Sequence, residues 1–304
     1  MRRGQLVVDA VCVVIAVVVA FPLYWMVLSA LKPAGELRSA RPWTAAPTVD
    51  SFMRVLDVAD FGLYFVNSLV VALLVVALSL VVSFLSAVAL TGFRFRGRTV
   101  LVVMLLVAQM VPVEALTIPL FFLVRSFGDV VPAIGLNRLG SLVVVHLAFS
   151  LPFAIWLLRG FVATVPDDLA EAAALDGASR FRFTWQVLFP LVAPGLVAAS
   201  VVSFIHAWND FLFAKTFLIS GTDNRTLPLG LLVFFKPEEQ DWGAIMAGST
   251  LMTVPVLVFF LIVQRHLVSG MAGAVKGLPC SRACCRARCA RRRRVGRCRT
   301  RPNR

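Results

Sequence analysis

The sequence predicts an all-α, polytopic membrane protein with six transmembrane helices. Of its 304 residues, 59% are hydrophobic and 15% are charged, and the mean hydropathy of +0.86 lies outside the range of soluble domains. Long runs without Asp, Glu, Lys or Arg alternate with short polar stretches. A helix of about 20 apolar residues crosses the hydrocarbon core of a bilayer. The chain is therefore expected to fold as helices within a membrane.

Five runs lack any acidic or basic residue, and a sixth contains one carboxylate. The charge-free runs are Ala10–Leu31, Phe61–Phe93, Leu139–Leu158, Phe183–Asn209 and Trp242–Gln264. The sixth run, Thr99–Val124, contains Glu114 but is otherwise apolar. We place the six spans at approximately 8–31, 65–91, 99–124, 139–159, 184–209 and 242–264, in one transmembrane domain over residues 1–277.

The first span is expected to be retained, because its apolar run exceeds that of a signal peptide and no clear small-residue cleavage site follows. Arg2 and Arg3 precede it, which favours a cytoplasmic amino terminus. Six spans then place both termini in the cytoplasm, together with the short loop that contains Arg94, Arg96 and Arg98. Residues 32–60 are expected outside. We predict a multi-pass protein of the cytoplasmic membrane.

A polar stretch between the fourth and fifth spans is the most specific feature. Asp168 and Glu171 are spaced for a capping box, so a helix is expected to start near Asp168. Leucines and alanines continue this helix, and Gly177 can take the positive φ that ends it. Arg180 and Arg182 precede the next apolar run, which favours a cytoplasmic location. An ordinary connecting loop would be shorter and would not need a capped helix.

This stretch resembles the EAA loop of the membrane subunits of ABC importers. The resemblance is carried by Glu171-Ala172-Ala173, by Gly177 and by Leu188-Phe189-Pro190 downstream. It implies the fold of an ABC type I importer permease with a cytoplasmic coupling helix. It also implies an ATPase-docking role for Glu171, Ala172, Ala173, Asp176, Gly177 and Arg180. Asp176 and Arg180 could equally be solvated surface residues.

Further motifs resemble the carbohydrate, maltose-type subgroup of these permeases. They are Phe21-Pro22, Ser29 to Pro33, Asn67-Ser68, Pro119-Leu120-Phe121 and Gly273-Ala274-Val275-Lys276-Gly277. The resemblance implies sugar or oligosaccharide import with a second related permease subunit, two ATP-binding subunits and an extracytoplasmic sugar-binding protein. Two alternatives stay open: a permease for a non-sugar solute, and a stand-alone secondary carrier that uses Glu114 as a proton site.

The chain carries no recognisable catalytic apparatus. It contains no Gly-x-x-x-x-Gly-Lys-Ser/Thr loop for nucleotide phosphates, and its three histidines lie in or at the ends of separate spans. We therefore predict a transport subunit, not an enzyme, with no catalytic residue, no bound metal and no cofactor of its own. ATP and Mg are expected to be used by the partner subunits, and no nucleic-acid partner is expected.

Polar groups inside the apolar runs are candidates for contact with the transported molecule, because such groups are costly in a bilayer. Gln109, Glu114 and His146 are the polar candidates, and Phe121 could stack on a sugar face. Glu114 is expected to lie deep in the third span. The alternative to contact with the transported molecule is a structural role through hydrogen bonding between helices. We favour this role for the groups near span ends, Asn67, Asn209 and Asp210.

The last 27 residues, 278–304, form an Arg- and Cys-rich tail. They contain 11 arginines and no acid, and without them the formal net charge would fall from +14 to +3. Five of the six cysteines lie there, but the spacing lacks a Cys-x-x-Cys pair and histidine, so we expect no zinc site. The composition predicts disorder. The tail could contact anionic membrane lipid, or could be a frameshifted extension of the gene.

Overall fold

Helices account for the regular structure of the described chain, as the sequence predicts. The computed structural model describes residues 2–57, 60–93, 95–221, 223–235 and 240–275, with the backbone alone for residues 2–4 and 265–275. The predictions for Arg94 and for the tail 278–304 lie outside the described residues. Among those described, the one β-type contact is an isolated antiparallel bridge between Phe235 and Gln240.

Thirteen α-helical segments follow one another along the described chain, joined in places by 3-10 turns and by one π-helical turn, Thr184–Leu188. The first six are α1 Arg2–Leu31, α2 Asp50–Asp57, α3 Phe61–Gly92, α4 Arg98–Ala108, α5 Thr117–Val130 and α6 Leu139–Val162. The others are α7 Asp167–Leu175, α8 Arg180–Phe183, α9 Phe189–Leu191, α10 Ala193–Trp208, α11 Leu212–Phe217, α12 Leu227–Gly230 and α13 Trp242–Val275.

Four helices are long and apolar enough to cross a membrane without interruption: Gln5–Leu31 of α1, α3, α6 and Trp242–Gln264 of α13. Two bent pairs add a third and a fifth span if each pair is one crossing. Arg98–Ala108 meets Val113–Val130 at 93°, and Arg180–Leu191 meets Ala193–Trp208 at 72°. The described chain is therefore compatible with the predicted six spans, but the predicted spans 99–124 and 184–209 are not continuous helices.

Prolines lie at both breaks. Pro112 comes directly after the turn that ends α4, and Pro190 and Pro194 flank the break at Val192. Proline lacks the N–H that continues a helix, and its ring clashes with the preceding turn. Hydropathy and run length do not detect such a break, because a broken apolar run is as long and as apolar as a continuous one.

The core of the bundle is formed by α3, α6 and α10, with α13 against α10 and α1 against α13. Small residues line these contacts: Ala72, Ala87, Ala154 and Ala199 are fully buried, and the Ser79 and Ser203 hydroxyl oxygens lie 3.2 Å apart. Small side chains let helix backbones approach closely, which is the main source of helix association in a lipid environment. Most of α1, by contrast, is exposed in this chain.

The two ends of the bundle differ. At one end, the last residues of α3 and α6 meet α7 and α8 around one cleft. At the opposite end, the start of α3 is tied to the segment after α10, because Asn67 Nδ2 donates to the carbonyls of Asp223 (2.7 Å) and Arg225 (3.0 Å). Asn67 is thus hydrogen-bonded to the loop between α11 and α12, and not to another helix as expected.

Candidate functional site

α7 is the helix expected from the polar stretch, and it begins at Asp167, one residue before the predicted start. The predicted capping box is wrong, because Pro166 occupies the N-cap and no side chain caps the helix. Asp168 lies inside the first turn instead. There Asp167 and Asp168 place negative charge near the positive end of the helix dipole, which stabilises the start of α7 without a cap.

Gly177 ends α7 as predicted, with a φ of +77°. The Ala178 N–H donates to the Ala173 carbonyl at 2.9 Å, and the Gly177 N–H donates to the Ala174 carbonyl at 3.1 Å. These two bonds form a Schellman motif, which closes a helix end through a residue in the left-handed region. Ser179 then caps α8, its hydroxyl accepting from the Arg182 N–H at 3.2 Å. Two stiff helices therefore meet at a defined turn.

α7 has no buried residue, and apolar side chains at its end and on α8 are exposed in the described chain. Leu175 is 90% exposed, and Phe181 on α8 is 75% exposed. The outward face of α7 also presents Leu169, Ala172 and Asp176. Sequence reasoning named Ala172 and Asp176 but missed Leu175 and Phe181, because an apolar residue beside an apolar run gives no signal that it stays uncovered.

The inner face of α7 borders a cleft of about 560 Å³. Asp167 and Glu171 line it from α7, and Arg98 and Arg180 line it from α4 and α8. The Arg180 guanidinium lies 5.4 Å from the centre of the Phe93 ring. Of the predicted docking residues, Glu171 and Arg180 thus share the cleft. Ala172 and Asp176 face outward, and Ala173 and Gly177 form the closing turn.

Gln109 and Glu114 lie on either side of the 93° bend, between α4 and α5. Gln109 follows the last residue of α4, and Glu114 belongs to a 3-10 turn, Val113–Leu116. Glu114 lies within the predicted third span, but that span is broken and not one continuous helix, since Pro112 cannot continue helical pairing. Both side chains are exposed in the described chain.

The other two pathway candidates lie against the core. Phe121 is partly buried and meets Phe122 edge to face, with ring centres 5.7 Å apart. His146 is 5% exposed, and its Nε2 lies 3.4 Å from Oδ2 of Asp210. Asp210 also accepts from the N–H groups of Phe213 (3.2 Å) and Ala214 (3.0 Å), at the start of α11. Asp210 thus bonds locally to the start of α11, and the His146 ring of α6 lies against the same turn.

A buried lysine organises the segment between α1 and α2. Lys32 is 1% exposed, and its Nζ donates to the carbonyls of Ser39 (3.0 Å) and Arg41 (2.8 Å). The same ammonium lies 4.9 Å from the centre of the Trp25 ring. Nearby, the Tyr24 hydroxyl donates to the Pro42 carbonyl. The loop is thus fixed to the end of α1. Within the described ranges, no group of three or more His, Cys, Asp or Glu could hold a metal.

The bundle and its broken spans define a multi-pass membrane protein that carries an exposed helix, α7, at one end. A family model described as "Binding-protein-dependent transport system inner membrane component" matches residues 79–273. The chain belongs to this family of transport permease subunits. It is therefore a membrane component of a transport system that includes further subunits.

Relatives match along nearly their whole length. The diacetylchitobiose uptake system permease protein DasC of Streptomyces coelicolor is 38% identical over 277 residues, covering 90% of this chain and 98% of DasC. The trehalose/maltose transport system permease protein MalG of Thermococcus litoralis is 32% identical over 283 residues, covering 91% and 98%. A bacterial ABC transporter involved in the import of the acidic polysaccharide alginate has a similar chain, with a TM-score of 0.72 at 20% identity, covering 87% of this chain and 96% of that one. That structural likeness supports the fold.

Proposed function

We propose that this chain forms half of the translocation pathway for a sugar or oligosaccharide in an ATP-driven importer. The observation that carries the proposal is the near full-length match to permeases named for chitobiose and for trehalose or maltose uptake. A second, related permease subunit completes the pathway. Two ATP-binding subunits supply the energy with ATP and Mg, and an extracytoplasmic binding protein delivers the sugar.

In this proposal α7 is the coupling helix. The end of the bundle that carries α7 lies in the cytoplasm, together with both chain termini. The exposed Leu175 and Phe181 enter an apolar groove of the ATP-binding subunit, because apolar side chains gain free energy when they leave water. A basic side chain of that subunit reaches Glu171 through the cleft, where a charge-assisted bond can form. Lipid surrounds the apolar faces that no subunit covers.

The connection from α7 to the spans is stiff enough to transmit movement. The Schellman turn and the Ser179 cap join α7 to α8, and the π-helical turn leads on to α9. Leu188 and Val192 of this connection are buried in a core cluster with Phe84 of α3 and Leu158 of α6. A displacement of α7 by closing ATP-binding subunits would therefore shift packed helices as units and change access to the pathway.

Uptake by a reconstituted complex tests the function. We expect proteoliposomes with both permeases, the ATP-binding subunits and the binding protein to accumulate a glycoside from a test panel only when ATP is present. Uptake that survives ATP depletion and collapses with the proton gradient would contradict the proposal.

A surface mutation tests the docking assignment. Leu175→Glu should reduce retention of the ATP-binding subunit about tenfold or more, because a buried leucine contributes about 1.5–3 kcal/mol. The matched control is Val49→Glu, which changes another exposed aliphatic residue at the opposite end of the bundle and should leave retention unchanged. Equal retention in the two variants would place the docking surface elsewhere.

A further inference from the structure

The break in the third span lies close to the middle of the bundle. α4 begins at Arg98, at the end that carries α7, since Arg98 and Glu171 line the same cleft. It has 11 residues, which corresponds to about 16 Å of helix. α6, which packs beside it, has 24 residues, or about 36 Å. Gln109 and Glu114 therefore lie near half the depth of a bilayer core that is roughly 30 Å thick.

Broken backbone at this depth cannot face lipid. Residues 109–112 are outside the helices, and Pro112 has no N–H. Non-helical backbone is tolerated in a membrane only where protein covers it or where it lines a water-filled cavity. The described part of this chain does not cover it, because Gln109 and Glu114 are exposed and Met110 is 81% exposed. The bend must therefore face the second permease subunit or the aqueous pathway between the two subunits.

Glu114 is the charged side chain at this bend. Its carboxylate has no hydrogen bond or ion pair with any described residue. A lone carboxylate at mid-membrane depth is costly unless water or a partner solvates it. Gln109, five residues earlier at the same bend, adds one amide that can donate to and accept from hydroxyl groups. We propose that the bend presents Glu114 to the solute pathway as a fixed negative charge that disfavours anionic sugars relative to neutral or cationic ones.

This selectivity depends on the proposed function, since it needs a pathway at the face of this subunit. A carboxylate near a narrow, partly desolvated passage raises the free energy of a passing uronate or sulfonate through like-charge repulsion. A neutral sugar meets no such repulsion, and its hydroxyl groups can donate to the carboxylate oxygens. Glu114 would then act as a specificity-determining residue, while the binding protein recognises the sugar first.

The reactivity of an introduced cysteine reports the charge of Glu114, and this experiment does not require the identity of the transported sugar. Gln109→Cys is introduced into the full chain after its six cysteines are replaced by alanine, and the complete importer is assembled in liposomes. The rates of reaction with a cationic and an anionic methanethiosulfonate reagent are then compared. Relative to a free thiol in solution, we expect the cysteine to favour the cationic reagent by about tenfold. Glu114→Gln should return the ratio to the free-thiol value.

A matched control removes a different carboxylate from the same segment. Asp129→Asn alters an exposed side chain 15 residues further along, beyond a screening length of about 8 Å, and should leave the ratio unchanged. Met110→Cys is the second reporter if Gln109→Cys does not assemble. A thiol that neither reagent reaches, or a ratio that Glu114→Gln does not alter, would overturn the proposal. ATP-dependent sugar uptake in the same liposomes shows separately whether the transport function holds.

Discussion

The turn at Gly177 offers a quantitative test of α7 as a stiff element. Its φ of +77° is a conformation that residues with a Cβ rarely adopt, and among the described residues no heavy atom beyond the two chain neighbours lies within 4 Å of an added Cβ. Gly177→Ala therefore introduces backbone strain without a steric clash, which costs about 1 kcal/mol. The equilibrium constant for opening of the turn at Gly177 would rise about fivefold.

Gly177→Pro should have a larger effect. Proline fixes φ near −65°, and it removes the N–H that donates to the Ala174 carbonyl at 3.1 Å. It also disfavours the conformation of Asp176, which has φ −76° and ψ 5°. A cost of about 3 kcal/mol would increase opening of the turn more than a hundredfold. We expect the variant to insert into the membrane but to lose ATP-dependent uptake.

Hydrogen exchange of the amides in residues 172–178, measured by mass spectrometry on the assembled complex, reports this opening directly. Gly160→Ala is a matched control, because Gly160 lies within α6 with open space around its Cα and alanine there should favour the helix. Exchange that is unchanged in Gly177→Pro would refute the role of the turn. Faster exchange together with normal uptake would instead refute the proposal that a stiff α7 transmits movement to the spans.

Two further predictions concern the opposite end of the bundle. Asp210→Ala removes the acceptor for the Phe213 and Ala214 N–H groups and the carboxylate beside His146. Thermal unfolding in detergent should therefore show a free energy of unfolding that is lower by about 1–3 kcal/mol. Asp210→Asn keeps one acceptor and should lose less stability, and equal stability of the wild type and both variants would contradict this. Lys32→Met should free the loop around Ser39 and Arg41 and accelerate limited proteolysis there; cleavage at the wild-type rate would show that other contacts hold the loop.

The site was predictable to different degrees. The end of α7 at Gly177 followed from sequence because a Schellman turn depends on one residue that tolerates positive φ. Its start was predicted to within one residue but its cap was not, since Asp168 fits a capping box as a pattern but Pro166 occupies the N-cap. Glu171 could be named, yet its position on the cleft side of α7 depends on how α7 lies against α4 and α8.

The sequence by itself determined that the chain is a membrane-embedded helical protein and where its rigid polar helix lies. Both properties are local, because apolar run length, helix propensity and a glycine turn act within a few residues of each other. Tertiary structure decided what each polar group meets: His146 lies beside Asp210, Lys32 holds a loop, and Glu114 is left exposed at a bend. These outcomes depend on contacts between segments far apart in the chain, which hydropathy and spacing do not encode.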